Sequence, residues 1–392
     1  MPTLSHRITT LNGGGSDGWD VFYRARAMVE AGDDVIELTI GEHDIRTDPS
    51  ILRAMYDSAV GGHTGYASVP GVSALRDAVA ARVTAQSGVA TTRENVLITP
   101  GGQAALFAAH MAACSPGDTT LIVDPFYATY PGVVRSAGAV PRAVPTEAET
   151  GFLPDRADLE AAANGAASLL INTPNNPTGA VYPRDTLEMI ADVVKTCDMW
   201  LISDEVYDTQ VWDGAHLSPR ALPGMVERTL VIGSMSKSHA MTGSRCGWVI
   251  GPEDAISALV DLATNTTYGV PGFIQDAALF ALRNPILEPE VAAPFLRRRE
   301  IAARVLKGQQ LVQAVPAQGA MYVMLDVRAT GLSGEAFANA LLDAEYIAVM
   351  PGESFGTSAA GHVRVAMTVD DAWFEDALQR LCRFAALLAE AV

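Results

Sequence analysis

The segment VIGSMSKSHAMTGSRCGW sets Ser234, Ser236 and Lys237 just past an apolar run, with Arg245 eight residues beyond the lysine. Serine hydroxyls and a planar guanidinium suit a phosphate, and a lysine drawn into a site loses enough basicity to attack an aldehyde. Alone, the stretch reads equally as a turn with a solvated lysine, because short motifs recur by chance. A second phosphate cradle is offered by TPGGQAALFAAH, where Gly101 and Gly102, followed by Gln103, stand between a strand and a helix. Amides at a helix N-terminus attract phosphate and glycines let it approach the backbone, although turn geometry explains such glycines too. In DPFYATY, Phe126, Tyr127 and Tyr130 offer faces to a flat ring, or else fill a core.

Two further runs add polar groups. NTPNNPTG, Asn172 to Gly179, is stiffened by two prolines and presents Asn175 and Asn176 beside a strand end. LISDEVYD ends a strand with Asp204 and puts Tyr207 three residues on, one turn away if the chain coils there. A carboxylate at an apolar strand end needs a partner. A protonated ring nitrogen would serve, and the alternative is a helix N-cap. Arg364 lies within the apolar run VRVAM, which argues against a solvated surface ion pair worth about 1 kcal/mol or less.

The elements that must position these groups are five short apolar runs read as buried strands: Val96 to Thr99, Leu121 to Val123, Leu169 to Ile171, Trp200 to Ile202 and Leu230 to Ile232. Helical patterns lie between them, such as Gln103 to Cys114, and Arg184 to Thr196 with Pro183 in a favourable first-turn place. Alternating strands and helices imply an α/β fold with a mostly parallel sheet flanked by helices, whose ligands gather at the carboxyl ends of the strands. After about residue 285 a basic helical stretch around Arg297, Arg298 and Arg299 leads to short strands near Met321 to Leu325 and Val363 to Ala366, and then to a terminal helix. This predicts a smaller α+β domain. The expected division is residues 49–285 for the large domain and 286–392 for the small one, with segment 1–48 (a helix from Trp19 to Ala31, extended Val35 to Ile40) packing on the latter.

At 392 residues, 49% hydrophobic and 18% charged, the chain has ample material for two cores and is not a disordered sequence. A net charge of −18, spread without a long acidic run, argues against nucleic-acid or anionic-membrane partners. Cys114, Cys197, Cys246 and Cys382 form no CxxC pair, so neither a metal ribbon nor a disulfide framework is indicated. MPTLSHRITT lacks the apolar core of a signal peptide, and no run is long enough for a bilayer span, so a cytoplasmic location is expected. Gly13, Gly15 and Gly18 spell G-x-G-x-x-G without a preceding strand, and read as a loop.

Ten segments taken together, LTIGEHDI, YASVPGVSALRDAV, TPGGQAAL, DPFYATY, NTPNNPTG, SDEVY, SMSKSHAMTGSRCGW, PAQGAMYVML, VMPGESFG and HVRVAM, occur in an order that resembles the class I/II aminotransferases of the pyridoxal-phosphate-dependent fold type I superfamily. The resemblance spans nearly the whole chain and implies the rest. Lys237 would carry pyridoxal 5'-phosphate as an internal aldimine and shuttle the proton between substrate Cα and cofactor C4'. Asp204 would hold the pyridine nitrogen protonated, Tyr207 and Asn176 would bond the ring's phenolic oxygen, and Tyr127 would stack on the ring. Gly101, Gly102, Gln103, Ser234, Ser236 and Arg245 would surround the phosphate, and Tyr66 would reach the phosphate of a neighbouring subunit in a homodimer. Arg364, Asn176 and the backbone at Gly41 would grip the substrate α-carboxylate. The implied reaction is ping-pong transfer of an amino group from an amino acid to a 2-oxo acid.

One departure bears on the substrate. Relatives specific for acidic substrates can carry a lysine after the two glycines of the phosphate turn; Gln103 here fits a neutral or aromatic donor at least as well. The same residues also support a carbon–sulfur β-lyase, since one fold hosts several reactions on this cofactor. A non-catalytic pyridoxal-phosphate sensor is the reading of another class, and no basic helix-turn-helix segment supports it.

Overall fold

The computed structural model describes residues 2–15 and 18–390. Its strands, in chain order, are β1 (Ile36–Leu38), β2 (Val96–Thr99), β3 (Thr119–Val123), β4 (Val140–Val144), β5 (Ala166–Asn172), β6 (Trp200–Asp204), β7 (Thr229–Ser234), β8 (Gly247–Ile250), β9 (Gln313–Ala314), β10 (Tyr322–Asp326), β11 (Ile347–Pro351) and β12 (His362–Ala366). Seven of them form one sheet in the order β2-β8-β7-β6-β5-β3-β4, and five form a second in the order β1-β11-β12-β10-β9.

The large sheet is apolar on both faces, which is why its strands read as continuous hydrophobic runs. Successive residues go to opposite sides: Leu170, Ile202 and Leu230 join the cluster under the helix Gly102–Ala113, while Leu169, Ile171 and Leu201 join that under the helix Arg184–Thr196. Four neighbour pairs, from β4 through β7, are parallel. β8 runs antiparallel to both β7 and β2, because only residues 235–246 separate it from β7 and a parallel return needs a longer crossover. β2, β3, β5, β6 and β7 therefore all end at one edge. Asn172 pairs with Asp204, and both Thr99 and Ser234 lie across from Gly247.

All five strands anticipated from apolar runs are present, four of them longer than the runs, because terminal polar residues such as Asn172, Asp204 and Ser234 still join the ladder. Pro183 is the N-cap of Arg184–Thr196, not its first turn, and the helix after the glycines begins at Gly102. β4, β8, β9 and β11 had no counterpart in the sequence reading. The glycine loop is a turn over residues 10–15, preceded by the short helix His6–Thr9 and by no strand; residues 16 and 17 within it lie outside the described residues. No helix among the described residues is long and apolar enough to cross a membrane.

In the second sheet β1 runs parallel to β11, so residues from the start of the chain pair with residues near its end. The core there joins Val21, Ala25 and Leu38 to Phe337, Leu341 and Phe374. The segment that follows β1, which holds Gly41, is pinned by Arg298 from the helix Leu287–Val305. Its guanidinium, 3% exposed, donates to both oxygens of Asp44 at 2.8 and 2.7 Å, to Asp371 at 3.0 Å and to the Met367 carbonyl at 2.9 Å. The Arg298 charge holds the Asp44 carboxyl below the usual range against the opposing effect of partial burial. Both carboxylates keep some contact with water, which places the loss on removing the arginine below that of a fully enclosed pair. Arg298→Met should lower stability by about 2–3 kcal/mol in urea denaturation; a loss under about 0.5 kcal/mol would show that water replaces the arginine without cost.

Candidate active site

Ser234 ends β7 and caps the single helical turn Met235–Ser238, its Oγ accepting from the Ser236 amide at 3.1 Å. That turn aims Lys237 into a cavity of about 460 Å³, where Nζ donates to the carbonyl of Gly41. The chain has three lysines, Lys195, Lys237 and Lys307, and Lys237 is the one at this cavity. Burial lowers its pKa to about 8, with Arg364 and Arg245 adding to the effect and Glu42 and Asp204 opposing it. About a tenth of the amine is then neutral at pH 7, enough to act as a nucleophile or base.

Asp204, last residue of β6, is 4% exposed on the cavity wall. Its carboxylate accepts from Tyr130 Oη at 2.7 Å and from the Val206 amide at 3.3 Å. Neither partner is a cation. Burial raises its pKa to about 6, and the two bonds only partly offset that. A cationic ring atom from a ligand would complete the pairing. The amide bond to Val206 also makes Asp204 a cap of the turn that follows, so the capping and ligand readings of this residue coexist.

Gly101, Gly102, Ser234, Ser236 and Arg245 surround a second part of the cleft, with Gln103 at its rim. Gly101 has φ +81°, and a Cβ there would collide with the Arg245 guanidinium, so only glycine lets the two approach. Arg245 donates to the carbonyls of Thr242 at 2.9 Å and Pro100 at 3.5 Å, and neither is an anion. Two hydroxyls, a guanidinium and the N-terminus of the helix Gly102–Ala113 thus face one volume and can hold a phosphate. Tyr127 forms the adjoining wall, its ring edge-on to Tyr130 at 5.7 Å between centroids.

Arg364 sits mid-strand in β12, opposite Met324 of β10 and Met350 of β11. The guanidinium is wedged between the rings of Tyr322 and Phe355, 4.5 and 4.4 Å from their centroids. It donates to Asn176 Oδ1 at 2.8 Å and to the Thr39 carbonyl, and its Nε has no partner. A buried, stacked cation bonded only to neutral acceptors is built to receive a carboxylate. Asn176 is fixed by its amide on Asn172 Oδ1 at 2.7 Å and donates to Tyr322 Oη at 3.4 Å; that oxygen also lies 3.0 Å from Tyr207 Oη.

Lys237, Asp204, Tyr207, Gly102, Gln103, Tyr127, Asn176, Ser234, Ser236, Arg245, Gly41 and Arg364 therefore line one cleft, and Gly101 abuts it through Arg245. Three residues do not join it, of which Phe126 lines a neighbouring cavity instead. Asn175 turns into its own loop, its Oδ1 accepting from Thr178 Oγ1 at 2.8 Å, and Tyr66 is 93% exposed against Tyr268, away from the cavity. Tyr130, Tyr322 and Phe355 had been given no part in holding charge, although each stands in a quoted motif. Trp19, Phe22, Tyr23 and Glu42 also line the cleft without having been assigned a role, although Glu42 directly follows Gly41 in LTIGEHDI.

Comparison with known proteins agrees with this geometry. The family model for aminotransferase class I and II matches residues 33–381. The arginine–pyruvate transaminase of Pseudomonas aeruginosa is 41% identical over 96% of this chain and 95% of its own. The aspartate/prephenate aminotransferase of Thermus thermophilus is 35% identical over 92% and 93%. Among solved structures, Thermus thermophilus aspartate aminotransferase with maleate superposes with a TM-score of 0.91 at 33% identity, covering 98% of this chain and all of that one. The chain belongs to the aminotransferase class I and II family and is an aminotransferase.

Proposed function

We propose that this enzyme binds pyridoxal 5'-phosphate at Lys237 and transfers the amino group of an amino acid with a long, non-acidic side chain, arginine before others, to a 2-oxo acid such as pyruvate. The observation that carries the cofactor is one cleft holding a buried amine, a buried carboxylate bonded to a hydroxyl and an amide, and a cradle of two serines, a helix N-terminus and Arg245, whose guanidinium bonds carbonyls. A phosphorylated pyridine aldehyde has a complement for each. Gly101, Gly102, Gln103, Ser234, Ser236 and Arg245 would hold its phosphate, Asp204 its ring nitrogen, Tyr207 and Asn176 its phenolic oxygen, and Tyr127 its face.

Bound there, the cofactor supplies the electron sink for the carbanion left when the Cα proton departs. The protein's own residues do the rest. Asp204 keeps a proton on the ring nitrogen because an anion fixed in a buried site favours the cationic form beside it. Arg364, with Asn176 and the Gly41 backbone, binds the α-carboxylate and so turns the Cα–H bond toward Lys237. Lys237, whose basicity burial has lowered, would take that proton on Nζ and return it to the carbon on the other side of the amino nitrogen. Donor and acceptor share the carboxylate site, so they bind in turn and the kinetics are ping-pong.

The donor follows from where the cations are. Lys237, Arg245 and Arg364 all face the reacting end, while the outer cleft is lined by Trp19, Phe22, Tyr23, Gln103 and Glu42. Nothing cationic among these meets a distal carboxylate, whereas aromatic faces and Glu42 suit a long cationic chain. The similar Pseudomonas enzyme named for arginine and pyruvate supports the same choice. The exposed pair Tyr66 and Tyr268, outside the chain's own cleft, supports a homodimer in which Tyr66 reaches the partner's phosphate site. The pairing of β1 with β11 supports a small domain of residues 286–392 joined by segment 1–48, beside a large domain of 49–285. Four free cysteines fit a reducing, cytoplasmic compartment.

Three outcomes test this reading. Lys237→Ala should abolish the visible-absorbing, borohydride-fixed cofactor adduct while leaving the fold intact, and in the wild type acylation of Lys237 without cofactor should rise through a midpoint near pH 8; an adduct that survives the substitution would place the bond on Lys195 or Lys307. Arg364→Ala should raise KM for every amino donor by about tenfold or more, whatever the side chain, because all share the α-carboxylate. With pyruvate as acceptor, arginine should exceed aspartate in kcat/KM by about tenfold or more, and the reverse order would overturn the donor assignment.

A further inference from the structure

Asp124 is a buried carboxylate that the reaction does not use. It is 1% exposed, directly follows β3, and accepts four hydrogen bonds, all from the loop after β11. Thr357 donates its amide at 2.9 Å and its hydroxyl at 3.0 Å to Oδ2, and the Ser358 amide lies 3.2 Å from each oxygen. None of these donors is a cation. Gly356, at φ +117°, passes so close that a Cβ there would overlap the carboxylate. Around it the same edge of the large sheet takes a second hold: the Phe126 amide donates to the Phe355 carbonyl at 2.8 Å, and the Thr146 amide to Ser358 Oγ at 3.1 Å.

The residue held between these grips is Phe355. Its fully buried ring forms one side of the sandwich around Arg364, with Tyr322 on the other. Tyr322 is fixed within its own sheet and by Tyr207, whereas Phe355 ends a short turn, Gly352–Phe355, outside any strand and is followed directly by the latched loop. Its ring position thus depends on what lies at 356–358.

We infer that Asp124 is a positioning residue for the substrate carboxylate: by latching residues 356–358 to the end of β3 it presses Phe355 onto Arg364 and fixes the plane in which that guanidinium meets donor and acceptor alike. The inference rests on Arg364 being the carboxylate site. Asparagine at 124 keeps the shape but replaces one acceptor oxygen by an NH2 that faces amide donors, which breaks half of the latch. Asp124 touches neither substrate nor cofactor site, so its loss reaches the reaction through Phe355.

The test is steady-state kinetics of cofactor-loaded Asp124→Asn, Phe355→Leu, the double variant and Arg364→Lys, with two donors of unlike side chain and with pyruvate. Asp124→Asn is expected to raise KM for both donors and for pyruvate in parallel, by about fivefold to tenfold, with kcat within about twofold of wild type and an unchanged cofactor absorbance spectrum. Phe355→Leu should give the same pattern, and the double variant should lie within about twofold of the larger single effect, since both act through one contact. Unchanged KM in Asp124→Asn, a fall confined to kcat, or effects that multiply in full would overturn the inference. If Arg364→Lys leaves every KM unchanged, the assignment of Arg364 itself falls and the latch with it. Should Asp124→Asn not fold, Thr357→Val removes one donor and keeps the backbone; it must show the parallel rise at smaller size, and unchanged KM values there overturn the proposal.

Discussion

Three ionisable groups, Lys237, Asp204 and Arg364, are held around one cavity and are bonded to neutral partners instead of to one another. Each such group costs the fold several kcal/mol of uncompensated desolvation, and a chain minimising its own energy would pair them. The structure prevents that by mounting them on different elements. Asp204 ends a central strand, Lys237 rides the turn after the next strand, and Arg364 is fixed mid-strand in the other sheet. Two extensive cores offset the cost, and the unmet charges are what a ligand of complementary charge gains on binding.

This arrangement explains which parts of the site were legible in the sequence. A parallel sheet buried on both faces imposes unbroken runs of Val, Ile and Leu, and the first polar residue after such a run lies at the functional edge. Thr99, Asn172, Asp204 and Ser234 could therefore be found by looking where each run stops. Their convergence follows from the parallel order, which brings Asn172 opposite Asp204 and sets Thr99 and Ser234 across one glycine. β4 escaped notice because it is an edge strand, exposed along much of its length, whose PRAV sequence lacks the continuous run. β8 escaped because its antiparallel return follows a short connection dominated by the turn that carries Lys237.

What could not be read were the partners of the charges. Tyr130 stands 74 residues before Asp204, and Phe355 and Tyr322 meet Arg364 only because two strands and a loop enclose it. No local period marks such contacts, since they join residues far apart in the chain that meet only when each sheet and its loops have assembled. The aromatics were visible as residue types, and their role as carriers of charge was not. The same holds for Arg298: read as part of a basic helical stretch, it proves to be an enclosed clamp on Asp44 and Asp371.

The clamps at Arg298 and Asp124 also explain how walls of the cleft are held in place. Arg298 ties the segment beyond β1 to the helices of the C-terminal part, which sets the Gly41 carbonyl over Lys237. Asp124 ties the end of β3 to the loop after β11, which sets Phe355 over Arg364. One clamp therefore acts beside Lys237 and the other beside Arg364, and both use a buried charge with several short bonds where a hydrophobic contact would tolerate sliding. A guanidinium or carboxylate with three or four directed bonds has one acceptable position, whereas apolar surfaces have many. A cleft that acts on a bound ligand needs its walls held in one position, which gives a reason for placing buried charge on residues outside its lining.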